Sequence, residues 1–138
     1  TSIYERTGMF GSLSFNNSPF TTTEMQDGLT WVTIIDPTTS ASGTANTGYI
    51  TNNSVTRTQI SLPVSGNAGD AFQVQGQGAA GWRITQIAGQ RIIFGNQTST
   101  TGASGYIEST LANDVVGIRY LGSNIWEVSF SIGSITIV

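Results

Sequence analysis

The strict alternation of apolar and polar residues limits this chain's fold more than any other feature. Along Asn124–Ile132 the side chains of Trp126, Val128, Phe130 and Ile132 fall on one side of an extended backbone, with Glu127, Ser129 and Ser131 on the other. A period of two is the signature of a half-buried strand, and it places Trp126 in the core. Leu29–Asp36, Arg57–Leu62, Ala71–Gln75, Trp82–Ile87, Arg91–Phe94, Asp114–Leu121 and Ser134–Val138 read the same way, separated by turn-forming clusters such as 65–69 and 122–124. No window of helical length carries a 3.6-residue stripe. The apolar residues agree, because 15 Ile and 8 Val outnumber 5 Leu, and β-branched side chains suit a pleated sheet better than a helix. Eight short strands imply one all-β domain, an antiparallel β-sandwich, barrel or prism, over residues 29–138. Residues 1–28 carry Phe10, Phe15 and Phe20 without sustained alternation and read as a connector or amino-terminal extension. Thr38–Thr47 reads as a polar loop, and there is no convincing tandem repeat.

The chemistry open to such a sheet is bounded by what the chain lacks. It has no Lys, His or Cys, and its basic residues are Arg6, Arg57, Arg83, Arg91 and Arg119 against eight acids, for a net charge of −3. That excludes thiolate nucleophiles, Ser-His-Asp relays, haem or zinc-finger ligation, disulfides, Walker phosphate loops and Schiff bases. Carboxylates, hydroxyls and arginines remain. Scattered arginines at a pI near 4.5 lack the clustered positive charge on which nucleic-acid affinity rests, so no nucleic acid is expected. No apolar run of bilayer length occurs, and no membrane insertion is expected. Only 9% of residues are charged, against about 25% in an average domain, so solubility falls to uncharged hydroxyls and amides. Thr1 in place of an initiator Met reads as processing or an excised fragment.

Gly76-Gln-Gly-Ala-Ala-Gly81 has the G-x-G-x-x-G form. A dinucleotide site would require a helix after it and an acid about 20 residues on. The following Trp82–Ile87 alternates instead, and 96–105 holds no acid, so a glycine-rich hairpin or bulge is expected. Glycoside hydrolysis needs two carboxylates flanking one bond. Glu108 with Asp114, or Glu24 with Asp27, are the available pairs, yet Asp70 and Asp114 stand at strand starts, where Asp commonly serves the backbone. Aromatic rings on a polar, weakly charged surface suit sugars, since a ring packs on the apolar face of a pyranose while amides and hydroxyls meet its hydroxyls. Trp82, Tyr106 and Tyr120 are the candidate carbohydrate-binding residues. The acids are too dispersed for a calcium cage, and no metal or cofactor is expected.

The ordered blocks Gly48-Tyr-Ile-Thr-Asn-Asn53, Gln59-Ile-Ser-Leu-Pro63, Gly69-Asp70, Val74-Gln-Gly-Gln-Gly78, Gly81-Trp-Arg-Ile-Thr-Gln86, Ala88-Gly-Gln-Arg-Ile-Ile-Phe-Gly95 and Gly133-Ser-Ile-Thr-Ile-Val138 resemble the carboxy-terminal knob or tip domain of bacteriophage tail fibres. Between them, 98–105 with Tyr106–Thr110 is similar to the family's Thr/Gly-rich link, and Asn124-Ile-Trp126 to its penultimate strand. The resemblance covers about Trp31 to Val138. It implies a homotrimeric knob at the distal tip of the fibre on the virion, joined to an upstream shaft and binding a host cell-surface glycan, either polysaccharide or lipopolysaccharide. It carries over no catalytic residue. A structural trimerisation and capping module, or a capsule depolymerase, are the alternatives.

Overall fold

The structure, a computed structural model, describes residues 28–64 and 66–138. Residues 1–27 of the connector, with the Glu24–Asp27 pair and Phe10, Phe15 and Phe20, lie outside the described residues. Those residues form twelve strands and no helix: β1 (Thr30–Ile35), β2 (Ser40–Ser42), β3 (Thr47–Asn52), β4 (Thr58–Ser61), β5 (Ala71–Gly76), β6 (Trp82–Thr85), β7 (Arg91–Phe94), β8 (Gln97–Thr98), β9 (Tyr106–Ser109), β10 (Val115–Gly122), β11 (Ile125–Ile132) and β12 (Ile135–Ile137). They make a seven-stranded sheet, β1-β3-β5-β10-β11-β7-β8, and a five-stranded sheet, β12-β9-β6-β4-β2.

The all-β expectation holds, whereas the antiparallel one is corrected: both sheets are mixed. β1, β3 and β5 are parallel neighbours in one sheet and β2, β4 and β6 in the other. Up to β6 the chain alternates sheets, so each parallel neighbour is reached by a detour through the opposite layer. Parallel strands need a connection of a dozen or more residues, and here a strand of the other sheet takes the place of a crossover helix. Trp31 pairs with Gly48, 17 positions on, and Gly48 with Gln73, 25 positions on. Coils of unequal length leave no repeat in the sequence. After β6 most pairing is antiparallel, with β10 joining β5 to β11 and β9 joining β6 to β12, although β7 runs parallel to β11.

One core lies between the sheets. The seven-stranded sheet contributes Ile34, Tyr49, Phe72, Val74, Val116, Ile118 and Trp126, and the five-stranded sheet contributes Ile60, Trp82, Ile84 and Ile107. In the second set, Ile60, Ile84 and Ile107 belong to a single register row, Ile137-Ile107-Ile84-Ile60-Ala41, running across all five strands, and Trp82 stands in the row of Thr58. Each such fully buried aliphatic side chain contributes about 1.5–3 kcal/mol. Buried amides support one end of the sandwich. The Gln86 amide donates to the carbonyls of Gln90, Thr100 and Gly102, which ties the Thr/Gly-rich link at 98–105 to β6.

Two local features depart from simple alternation. Gly76–Gly81 is no hairpin, because β5 and β6 belong to different sheets; it is the crossover between them, with a strand rather than a helix after it. In the β10–β11 pair, Gly117 faces Phe130 but Ile118 faces Val128, which leaves Ser129 as an extra residue. A bulge of this kind moves the following side chains to the opposite face. Trp126 and Val128 therefore pack on the core, while Phe130 and Ile132, expected on the same face, turn outward and are 44% and 61% exposed. The hairpin itself closes through Ser123 and Asn124, both at positive φ, which matches the right-handed twist of the flanking strands.

Candidate functional site

The alternation that buries one face of each sheet presents the other to solvent. On the five-stranded sheet, Thr136, Glu108, Arg83, Gln59 and Ser40 lie in one register row, with Tyr106, Thr85, Ser61 and Ser42 in the row beside it. Hydroxyls and an amide thus line a depression of about 440 Å³ bounded by Ser40, Ala41, Ser42, Gln59, Ser61 and Thr85. At its β6–β9 side stands a fixed cluster. The Arg83 guanidinium carbon lies 3.9 Å from the centre of the Tyr106 ring, and Arg83 Nε donates to Glu108 Oε1 at 2.7 Å. Arg57 Nη1 lies 3.8 Å from the same oxygen and donates to the carbonyl oxygens of Trp82 and Ser109 at 3.1 and 2.9 Å. Two guanidinium groups share one carboxylate, so the cluster keeps one positive charge on a chain whose net charge is −3.

The outer face of the seven-stranded sheet is of another kind. Trp31, Gly48, Gln73, Gly117 and Phe130 form one row across five strands, and Thr33, Ile50, Gln75, Val115 and Ile132 the next. Each aromatic ring lies over a glycine. A Cβ on Gly48 would come within 2.6 Å of the Trp31 ring, and one on Gly117 would fall against the Phe130 ring. Only glycine lets the rings lie this close to the sheet. A groove of about 190 Å³ runs beside Phe130, lined by Leu29, Gln73, Gly117, Arg119 and Ser129 among others.

Of the three rings predicted to bind sugar, Tyr106 alone belongs to such a face. Trp82 is corrected to a core residue: it is 0% exposed, and its indole N–H donates to the Asp114 carbonyl at 2.9 Å, so neither ring face can reach a ligand. Tyr120 is likewise buried. It packs against Trp126 with ring centres 4.9 Å apart and accepts the Asn124 N–H on its hydroxyl. Arg83, Gln59 and the flanking serines and threonines were missed, although their signal was the polar half of the alternation in Gln59-Ile-Ser61, Trp82-Arg-Ile-Thr85 and Tyr106-Ile-Glu-Ser109.

The carboxylate pair Glu108 and Asp114 is not brought to one site. Glu108 stands on the outer face, whereas Asp114 is buried. Burial opposes ionisation of Asp114, yet the backbone N–H groups of Leu111, Thr110 and Ser134 and the Thr110 hydroxyl together hold its pKa below the ordinary 3.8. Its carboxylate accepts from the Thr110 and Leu111 N–H groups at 2.9 and 3.0 Å, fixing the turn before β10. Asp70 serves its own turn through the Asn67 N–H at 2.8 Å. Among the described residues, no cluster of three or more His, Cys, Asp or Glu side chains is arranged to hold a metal. The chain matches no protein-family model and no curated protein.

Proposed function

We propose that this chain is the tip domain of a bacteriophage tail fibre, that it acts as a homotrimer at the distal end of the fibre, and that it adsorbs to a host-surface polysaccharide or lipopolysaccharide by binding. The observation that carries the binding role is the outer face of the five-stranded sheet, where hydroxyls and an amide form a shallow depression beside a fixed Tyr106–Arg83 pair. Sugars present hydroxyls around apolar ring faces, and this surface offers the partners for both. A shallow site of this sort binds weakly alone. Three copies on a trimer, and several fibres on a virion, raise avidity by about 10²–10⁴. Phe130 and Ile132, exposed on the outer face of the other sheet, support the trimer, because apolar area left in water is gained back by meeting another copy.

That same apolar face favours a second reading, a trimerisation and capping module with no receptor site of its own. Light scattering of the purified domain, followed by adsorption to bacteria that the parent phage infects, separates them. A trimer of the 14.6 kDa chain would scatter as about 44 kDa. Saturable adsorption that Tyr106→Ala weakens supports the receptor role. A trimer that adsorbs to neither cells nor purified surface polysaccharide leaves the capping module, and a monomer at every concentration removes both.

A further inference from the structure

We propose that the glycan taken by the outer face of the five-stranded sheet is acidic, a polysaccharide containing uronic acid, and that Arg83 reads its carboxylate. The inference rests on the glycan-binding reading above and adds the charge of the sugar. Arg83 is held from two sides, its Nε–H spent on Glu108 at 2.7 Å and its guanidinium carbon placed over the Tyr106 ring, 3.9 Å from the ring centre. Among the described residues no acceptor meets its Nη groups. The free edge of an arginine fixed in this way is a fork shaped for a carboxylate, which it binds through two parallel hydrogen bonds. A lysine would supply charge without the fork. Arg57, by contrast, is spent on the carbonyl oxygens of Trp82 and Ser109 and serves to support Glu108.

The count of charge favours a carboxylate over a phosphate. Two arginines and one glutamate leave one positive charge, which a uronate neutralises one to one. A phosphate monoester carries about −1.5 to −2 at neutral pH and would leave negative charge uncompensated on an already acidic chain. The sugar hydroxyls then fall to the neighbouring row, with Thr85 beside Arg83 on β6 and Ser61 and Ser42 next across the sheet.

The test is a glycan array of galacturonate, glucuronate and mannuronate oligomers, each printed beside its carboxyl-reduced counterpart and beside a sugar phosphate. The expected result is binding to acidic members at least tenfold above their reduced counterparts, weakening as salt rises. Arg83→Gln and Arg83→Lys should both lower that ratio towards one, with melting temperature within a few degrees of the parent. Because the ratio is read in the unaltered protein, it does not depend on either variant folding. Equal binding to reduced and acidic members, preference for the phosphate, or an unchanged ratio in Arg83→Gln would overturn the inference while leaving glycan binding in place. Binding to no member would overturn both.

Discussion

On the five-stranded sheet the outward positions hold Ser, Thr, Gln, a tyrosine and one ion-paired cluster; on the seven-stranded sheet the central outward rows hold Trp31, Ile50, Val115, Phe130 and Ile132 around two glutamines. Both faces rest on the same core and arise from the same alternation, so core packing does not account for the difference. The polar face follows regular pairing throughout. The apolar face depends on an irregularity, since without the extra Ser129 the side chains of Phe130 and Ile132 would point inward. Exposure of these two residues is thus built into the backbone. One face presents hydroxyls, amides and an ion-paired cluster, and the other apolar side chains.

The largest expected effect tests the shared foundation. Trp82→Ala should cost about 3–5 kcal/mol in urea unfolding, because it empties a fully buried site beneath both faces. A loss under 1 kcal/mol would place that ring outside the core and reopen its role as a binder. Next is Asp114→Asn, which exchanges a buried acceptor of several backbone N–H groups for a weaker one and should cost about 2–3 kcal/mol. The sign of its pH dependence follows from a folded-state pKa below the ordinary 3.8. The unfolded chain takes up the proton first, so the stabilisation is fully present above about pH 4 and drains away as pH falls through the lower folded value. Acid titration of unfolding should show this slope in the parent and a flatter one in Asp114→Asn.

A smaller effect isolates the apolar face. Gly117→Ala drives a methyl group into the Phe130 ring and should cost about 1–2 kcal/mol. In a Phe130→Ala background the same change should be neutral or slightly stabilising, since alanine at this ordinary φ restricts the unfolded chain. A double-mutant cycle reads the coupling directly, and additive costs would mean that the ring does not rest on the glycine. The smallest effect falls on the polar face. Arg83→Gln removes a partly exposed ion pair and should change stability by less than about 1 kcal/mol, so differential scanning calorimetry should barely register it, whereas on the proposed function glycan binding should fall.

Much of this was legible in advance wherever burial imposes a period of two. β7 was predicted to the residue, and β1, β4, β5, β6, β10, β11 and β12 to within two residues at each end. Four strands were not read: β2 because Ser40-Ala-Ser42 has one small apolar residue on an edge strand, β8 because two exposed residues carry no pattern, β3 because residues on both of its faces are buried, without alternation, and β9 because Tyr106 puts an aromatic ring on the outer face of a four-residue strand. Strand direction was not legible, since a half-buried strand alternates identically in parallel and antiparallel ladders. Nor was the bulge, whose extra residue is defined only by its partner strand. The candidate site divided on similar grounds. Tyr106 and Trp82 both occupy strand positions, and it is the parity of each along its strand that sends one ring outward and the other inward. A list of aromatic residues does not record that parity.

The alternation of the first six strands between two sheets also has a consequence in time. Neighbours in that half are 17 to 25 positions apart where Trp31, Gly48 and Gln73 meet, so no adjacent pair can close as a local hairpin, and the loop-closure entropy must be met before any contact rewards it. The β10–β11 hairpin, turned by two residues, carries no such delay. It is the natural place for folding to begin, with β5 docking on β10 and the earlier coils winding on afterwards, from the carboxy-terminal half back towards the amino end.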